Sequence, residues 1–145
     1  MKITSITTNY SEDRFLETTS VVQGTEVGCM NVVNLYPDVM YQKIRGFGGA
    51  FTESAGYTLS KLSKEKQKEI AEAYFGESGI GYTIGRTHIN SCDFSLGNYA
   101  YVEDPEDKNL ETFTRERDQL YIVPFIRLAQ QVTTQKIEFL ASPWS

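Results

Sequence analysis

Histidine, tryptophan and cysteine are nearly missing from this chain: its 145 residues hold one His, one Trp and two Cys. Cys29 and Cys92 lie far apart, with no second Cys or His at ligand spacing, so no metal site is expected and a disulfide framework is excluded by count. No cofactor is called for by any motif. Long apolar runs are lacking too, and nothing approaches the ~20 residues a membrane helix needs, so no transmembrane segment is expected. Residues 1–20 alternate polar and apolar and include Glu12, Asp13 and Arg14. No apolar run of ~7–15 residues follows Met1, so no secretory signal is visible. With Met1 as the true start, the expectation is a cytoplasmic protein. Positive charge is short as well. Fourteen Lys and Arg face nineteen Asp and Glu, a net charge of −5 that argues against nucleic acid or an anionic membrane as partner.

What remains is the composition of a globular domain, 40% hydrophobic and 12% aromatic, long enough to bury a core. There is no internal repeat and no low-complexity tract. Residues 1–44 carry short β-prone runs (Ile3–Thr8, Val27–Leu35, Val39–Ile44) broken by Gly24, Gly28 and Pro37, which reads as a strand meander. From Arg45 the pattern changes. Gly46–Thr52 is a short apolar strand running into a loop. Ser63 caps a helix over Lys64–Phe75, where Ile70 with Tyr74 and Ala71 with Phe75 pair at i,i+4, and Gly76 is a stop. Tyr82–Ile89 is a strand, followed by the polar loop Asn90–Asn98 and the acidic, solvated stretch Glu103–Asp107. A second helix covers Pro124–Gln131, and Ile137–Ala141 is a third strand.

Strands separated by helices imply an α/β fold with a parallel sheet, because parallel neighbours need a crossover. A closed barrel of eight βα units takes ~250 residues, so three units describe less than half of one. The reading divides the chain into strands over 1–44 and the first part of a barrel over 45–145. In such barrels the site lies at the C-terminal ends of the strands. That rule singles out Thr52–Glu53, Asn90–Phe94 and Ser142–Trp144.

Residue type leaves several roles open. Asp93 can cap its own turn or accept two hydroxyls of a ligand. Trp144 can pack at a rim or cover the apolar face of a sugar while its N–H donates. Phe94 is either packing or a pocket wall. Arg86 shares a strand face with Tyr82, Ile84 and His88; buried there it would need a carboxylate, and none is evident. His88 has no nucleophile or metal set beside it and reads as structural. Glu53 and Asp93 could be taken for the two carboxylates of a glycosidase. Gly46, Gly48 and Gly49 fit no phosphate-binding pattern and are expected to let backbones pass close together.

Three segments, GFGGAFTESA (Gly46–Ala55), GIGYTIGRTHINSCDFSLGNYAY (Gly79–Tyr101) and LASPWS (Leu140–Ser145), resemble in order and spacing the first three barrel strands of glycoside hydrolase family 30. They are similar in particular to the branch of glucosylceramidases. The likeness runs from about Tyr41 to the end. It implies an incomplete TIM barrel over 45–145, with residues 1–44 contributing strands to a side β-sandwich. It implies a retaining β-glycosidase acting on a glucoside or glucosylceramide-like substrate, with Asp93 and Trp144 holding the sugar and Phe94 at the pocket. Arg86 and Glu53 then support. Family members usually have Asp at the Glu53 position, and both of their catalytic Glu follow later strands, so the Glu53–Asp93 pairing is set aside. Neither catalytic residue is expected before Ser145, and the chain alone is expected to be inactive. A non-catalytic carbohydrate-binding fragment and half of a split glycosidase, completed by a second chain, are the alternatives.

Overall fold

In a computed structural model, residues 3–21 and 33–144 are described. They fall into two compact units, Met1–Gln42 and Lys43–Ser145. The first contains an antiparallel hairpin of β1 (Ile3–Asn9) and β2 (Arg14–Val21), in register from Ile3 opposite Val21 to Thr7 opposite Glu17. A short 3₁₀ turn over Tyr10–Glu12 joins them. There the Asn9 carboxamide accepts the Ser11 amide at 3.1 Å, and Asp13 takes the left-handed conformation that Asp tolerates. The hairpin uses the expected Ile3–Thr8 run, whereas β2 had no counterpart in the sequence reading. The expected strand Val27–Leu35 lies largely outside the described residues. Val39–Ile44 is not a strand: it follows a turn in which the Val39 amide meets the Tyr36 carbonyl at 3.0 Å, and its large side chains are exposed. A β-prone run forms a strand only where another strand pairs with it, because propensity depends on packing.

The second unit runs β3 (Gly48–Phe51), α1 (Glu53–Ser60), α2 (Lys64–Phe75), β4 (Ile84–Ile89), α3 (Ile122–Val132) and β5 (Glu138–Pro143). The three strands form one parallel sheet in sequence order, with Ala50, Arg86 and Leu140 side by side. Gly48 is required by this pairing, since a Cβ there would sit 1.5 Å from the Ile84 carbonyl oxygen. Side chains alternate across the pleat. Phe51 and Phe139 enter the layer beneath the helices, where Phe51 is 1% exposed and its ring lies 4.6 to 5.4 Å from those of Phe75, Phe125 and Phe139. Ala129 and Ile137 complete this core. The opposite face, with Ala50, Arg86 and Leu140, is exposed.

α2 matches its expected span, with the Ser63 hydroxyl accepting the Lys66 amide at 3.3 Å. Gly76 stops it without a left-handed turn: its backbone is extended, and a Cβ would meet the Glu72 carbonyl at 2.6 Å. α3 starts two residues before Pro124, which sits in its first turn where no amide is missed. α1 departs from the expectation of a loop after the first strand: a helix over Glu53–Ser60 follows it directly. Thr52 caps this helix by accepting the Ala55 amide at 3.2 Å, and Glu53 becomes its first residue. The helix is short and its apolar periodicity weak, so only the Thr cap announced it.

Candidate functional site

Each strand of the second unit ends at the same edge of the sheet, so the residues that follow β3, β4 and β5 are neighbours. Arg86 reaches across from β4 to β5. Its Nε donates to the Ser142 hydroxyl at 3.1 Å, and its guanidinium lies 4.6 Å from the centre of the Trp144 ring. The expected need for a carboxylate does not arise, because Arg86 is exposed and its charge rests on the electron-rich indole face instead. Asp93 and Trp144 line one open cleft of about 780 Å³, together with Ser91, Tyr99 and Glu103. Asp93 is exposed, so its carboxylate is free to accept hydroxyl protons. Trp144 is 41% exposed, with one ring face against Arg86.

Phe94, next to Asp93, points elsewhere. It lines a separate apolar groove with Ala55, Leu59, Ile70 and Tyr74, over α1 and α2. Its carbonyl accepts the Ser54 amide at 3.0 Å, which ties the loop to the start of α1. His88 is 4% exposed, and its Nδ1 lies 2.5 Å from the Asn90 carbonyl oxygen. Its Nε2 has no hydrogen-bond partner among the described residues.

Glu53 does not face the cleft. It is 1% exposed and locked to Arg117, with Nε to Oε1 at 2.7 Å and Nη2 to Oε2 at 3.2 Å, while the Leu96 amide donates to Oε2 at 2.8 Å. Burial alone would push its carboxyl up. The Arg117 and Leu96 hydrogen bonds, with the charges of Arg117 and His88, outweigh that and hold it below the usual glutamate value. Arg117 also donates to the Gly97 carbonyl at 3.3 Å and lies 4.4 Å over the Tyr99 ring. Asp118 accepts from the hydroxyls of Tyr99, at 3.0 Å, and Tyr101; burial and that carboxylate raise both phenols above the ordinary tyrosine range. Arg117 and Asp118 were missed by the sequence reading. They stand 64 and more residues from Glu53 in a charged stretch, and only the burial of Glu53 calls for a cation.

Among the described residues no group of His, Cys, Asp and Glu could hold a metal ion, and no helix is long and apolar enough to cross a membrane. The arrangement offers a carboxylate and an indole face on one open cleft, with the Arg86 guanidinium held against the indole, which is equipment for hydrogen-bonding and stacking against a polyhydroxylated ring.

Comparison with known proteins places residues 44–145 in the Glycosyl hydrolase family 30 TIM-barrel domain. Putative glucosylceramidase 3 of Caenorhabditis elegans is 44% identical over 106 residues, which are 72% of this chain and 20% of that protein. Lysosomal acid glucosylceramidase of Mus musculus is 35% identical over 125 residues, 86% of this chain and 24% of that protein. Among solved structures, SrfJ from Salmonella typhimurium superposes with a TM-score of 0.85 at 34% identity, over all of this chain and 33% of that one. The endo-beta1,6-glucanase BT3312 superposes with a TM-score of 0.68 at 28% identity, over 77% and 24%. This chain therefore spans about a fifth to a quarter of the curated relatives it matches.

Proposed function

The chain belongs to glycosyl hydrolase family 30, and from that premise we propose that it provides the sugar-facing first strands of a retaining β-glycosidase of the glucosylceramidase kind. The observation that carries this reading is the shared cleft: Asp93, after β4, and Trp144, after β5, line one opening, although they are 51 positions apart (144 − 93). In the proposed complex Asp93 accepts sugar hydroxyls, Trp144 covers the ring and Arg86 fixes the indole. Glu53 takes no part in bond cleavage. Its oxygens are committed to Arg117 and Leu96, and a nucleophile or general acid needs a free one. Retention requires two carboxyl groups ~5–5.5 Å apart across the scissile bond. We assign both to sequence outside these 145 residues, supplied by a longer chain or by a second polypeptide that completes an incomplete barrel. The residues of the first unit are proposed to join a side β-sandwich.

The test has two arms. The purified 145-residue chain is expected to show no hydrolysis of an aryl β-glucoside, since losing acid–base and nucleophilic groups costs orders of magnitude each. Residues 44–145 grafted into the matching segment of a family relative are expected to restore turnover, and Asp93→Ala in that graft to lower kcat/KM by at least ~100-fold, as for loss of charge-assisted bonds to the sugar. Turnover by the short chain, or a graft indifferent to Asp93→Ala, overturns the reading.

A further inference from the structure

The segment between β4 and α3, from Asn90 to Tyr121, carries no regular structure except a 3₁₀ turn over Arg117–Gln119. Connections of that length are uncommon unless functional, and ordering each residue costs backbone entropy. Something must hold it, and its ties to the first helix meet at Glu53 and the neighbouring Ser54. Glu53 takes the Leu96 amide from the outgoing limb of the loop and the Arg117 guanidinium from the returning limb. Arg117 in turn binds Gly97 on the outgoing limb, and the Ser54 amide beside Glu53 binds the Phe94 carbonyl. Asp93 sits just before these anchors and just after the β4 end. Its position is thus fixed from the strand on one side and from α1 on the other.

We infer that the Glu53–Arg117 ion pair is a latch that positions the Asp93 loop against the first helix, making both residues positioning groups for the sugar cleft. The pair closes two limbs at once, which neither a turn nor a surface ion pair does. It is built for permanence: Glu53 is buried, and its two oxygens receive one guanidinium in the two-point geometry that favours Arg over Lys. The rest of the loop leans on the same post, since Tyr99 stacks under Arg117 and the adjacent Asp118 holds Tyr99 and Tyr101. This inference rests on the reading of Asp93 as sugar-facing for its purpose, but not for its geometry.

Amide hydrogen exchange of the 145-residue chain, measured without sugar, tests it. In Arg117→Met the Leu96 and Ser54 amides, and the Ser91 amide that donates to the Tyr99 carbonyl at 2.9 Å, are expected to exchange on the order of tenfold faster, while the amides of β4 keep their protection. Arg117→Lys restores charge with a single contact and is expected to fall between the two. Unchanged loop exchange overturns the latch. So does an equal rise in the loop and the sheet, or failure of both variants to fold, because the pair would then support the whole unit and not the loop. A graft indifferent to Asp93→Ala alongside selective loosening in Arg117→Met would sink the sugar reading and leave the latch standing.

Discussion

At the scale of single residues, the burial of Glu53 is the most informative feature. A buried carboxylate is tolerated only when paired and hydrogen-bonded, and removing its partner leaves an uncompensated charge. The groups facing Glu53 are Arg117 from the returning limb, Leu96 from the outgoing limb, His88 from β4 and Tyr99 in the loop. Placement in the first turn of α1 adds the positive end of the helix dipole. Burial raises the carboxyl, and the sum of the others lowers it further. A depressed folded value means that the latch is fully formed above the ordinary glutamate range of ~4.3 and is lost only as pH falls through the lowered value. The Leu96 amide proton, which donates to Glu53, is expected to report this by NMR with a midpoint below ~4.3, and in Glu53→Gln that titration should vanish. A midpoint at or above the ordinary range would mean that desolvation wins.

At the scale of elements, the sheet and the helices meet across a layer with little slack. Gly85 of β4 lies under two aromatic rings, and a Cβ there would come within 2.6 Å of Phe139 and 2.8 Å of Phe51. Gly49 of β3 is open by comparison, with only the Tyr82 ring at 3.8 Å. Gly85→Ala should therefore destabilise the unit by ~1–3 kcal/mol, as overpacking of a close-packed core does, while Gly49→Ala should stay within ~0.5 kcal/mol. Urea unfolding followed by circular dichroism separates the two, and equal midpoints would contradict the packing described. Legibility in the sequence followed the same division. Lys64–Phe75, Tyr82–Ile89 and Ile137–Ala141 were readable because apolar period, caps and β-branched runs are local signals. α1 and β2 were not, one because a Thr cap is faint beside an apolar strand, the other because a polar hairpin strand has no buried face to pattern it. Of the cleft, Asp93 and Trp144 could be named from motif and strand-end position, as could Arg86 behind the indole. Arg117 could not, because what selects it is a buried charge 64 positions away.

At the scale of the whole chain, the second unit presents a sheet with one face covered and the other open at Ala50, Arg86 and Leu140 but closed over His88. Among the described residues β3 and β5 each pair on one side only, so each leaves a row of backbone donors and acceptors unmatched. The bare face is apolar in part: Leu140 is 61% exposed next to Arg86. Burying one Leu side chain contributes ~1.5–3 kcal/mol, and an open parallel edge templates further strands, so both features favour association of the 145-residue chain with itself or with a complement. Sedimentation velocity is expected to show mass rising with concentration. Leu140→Lys should shift the distribution toward monomer while leaving the far-ultraviolet spectrum unchanged, because the side chain lies on the face away from the Phe51 core. Sharp two-state melting of a monomer across that concentration range would show that the exposed edges and face are satisfied within the chain, and would remove the reason to expect a partner that completes the barrel.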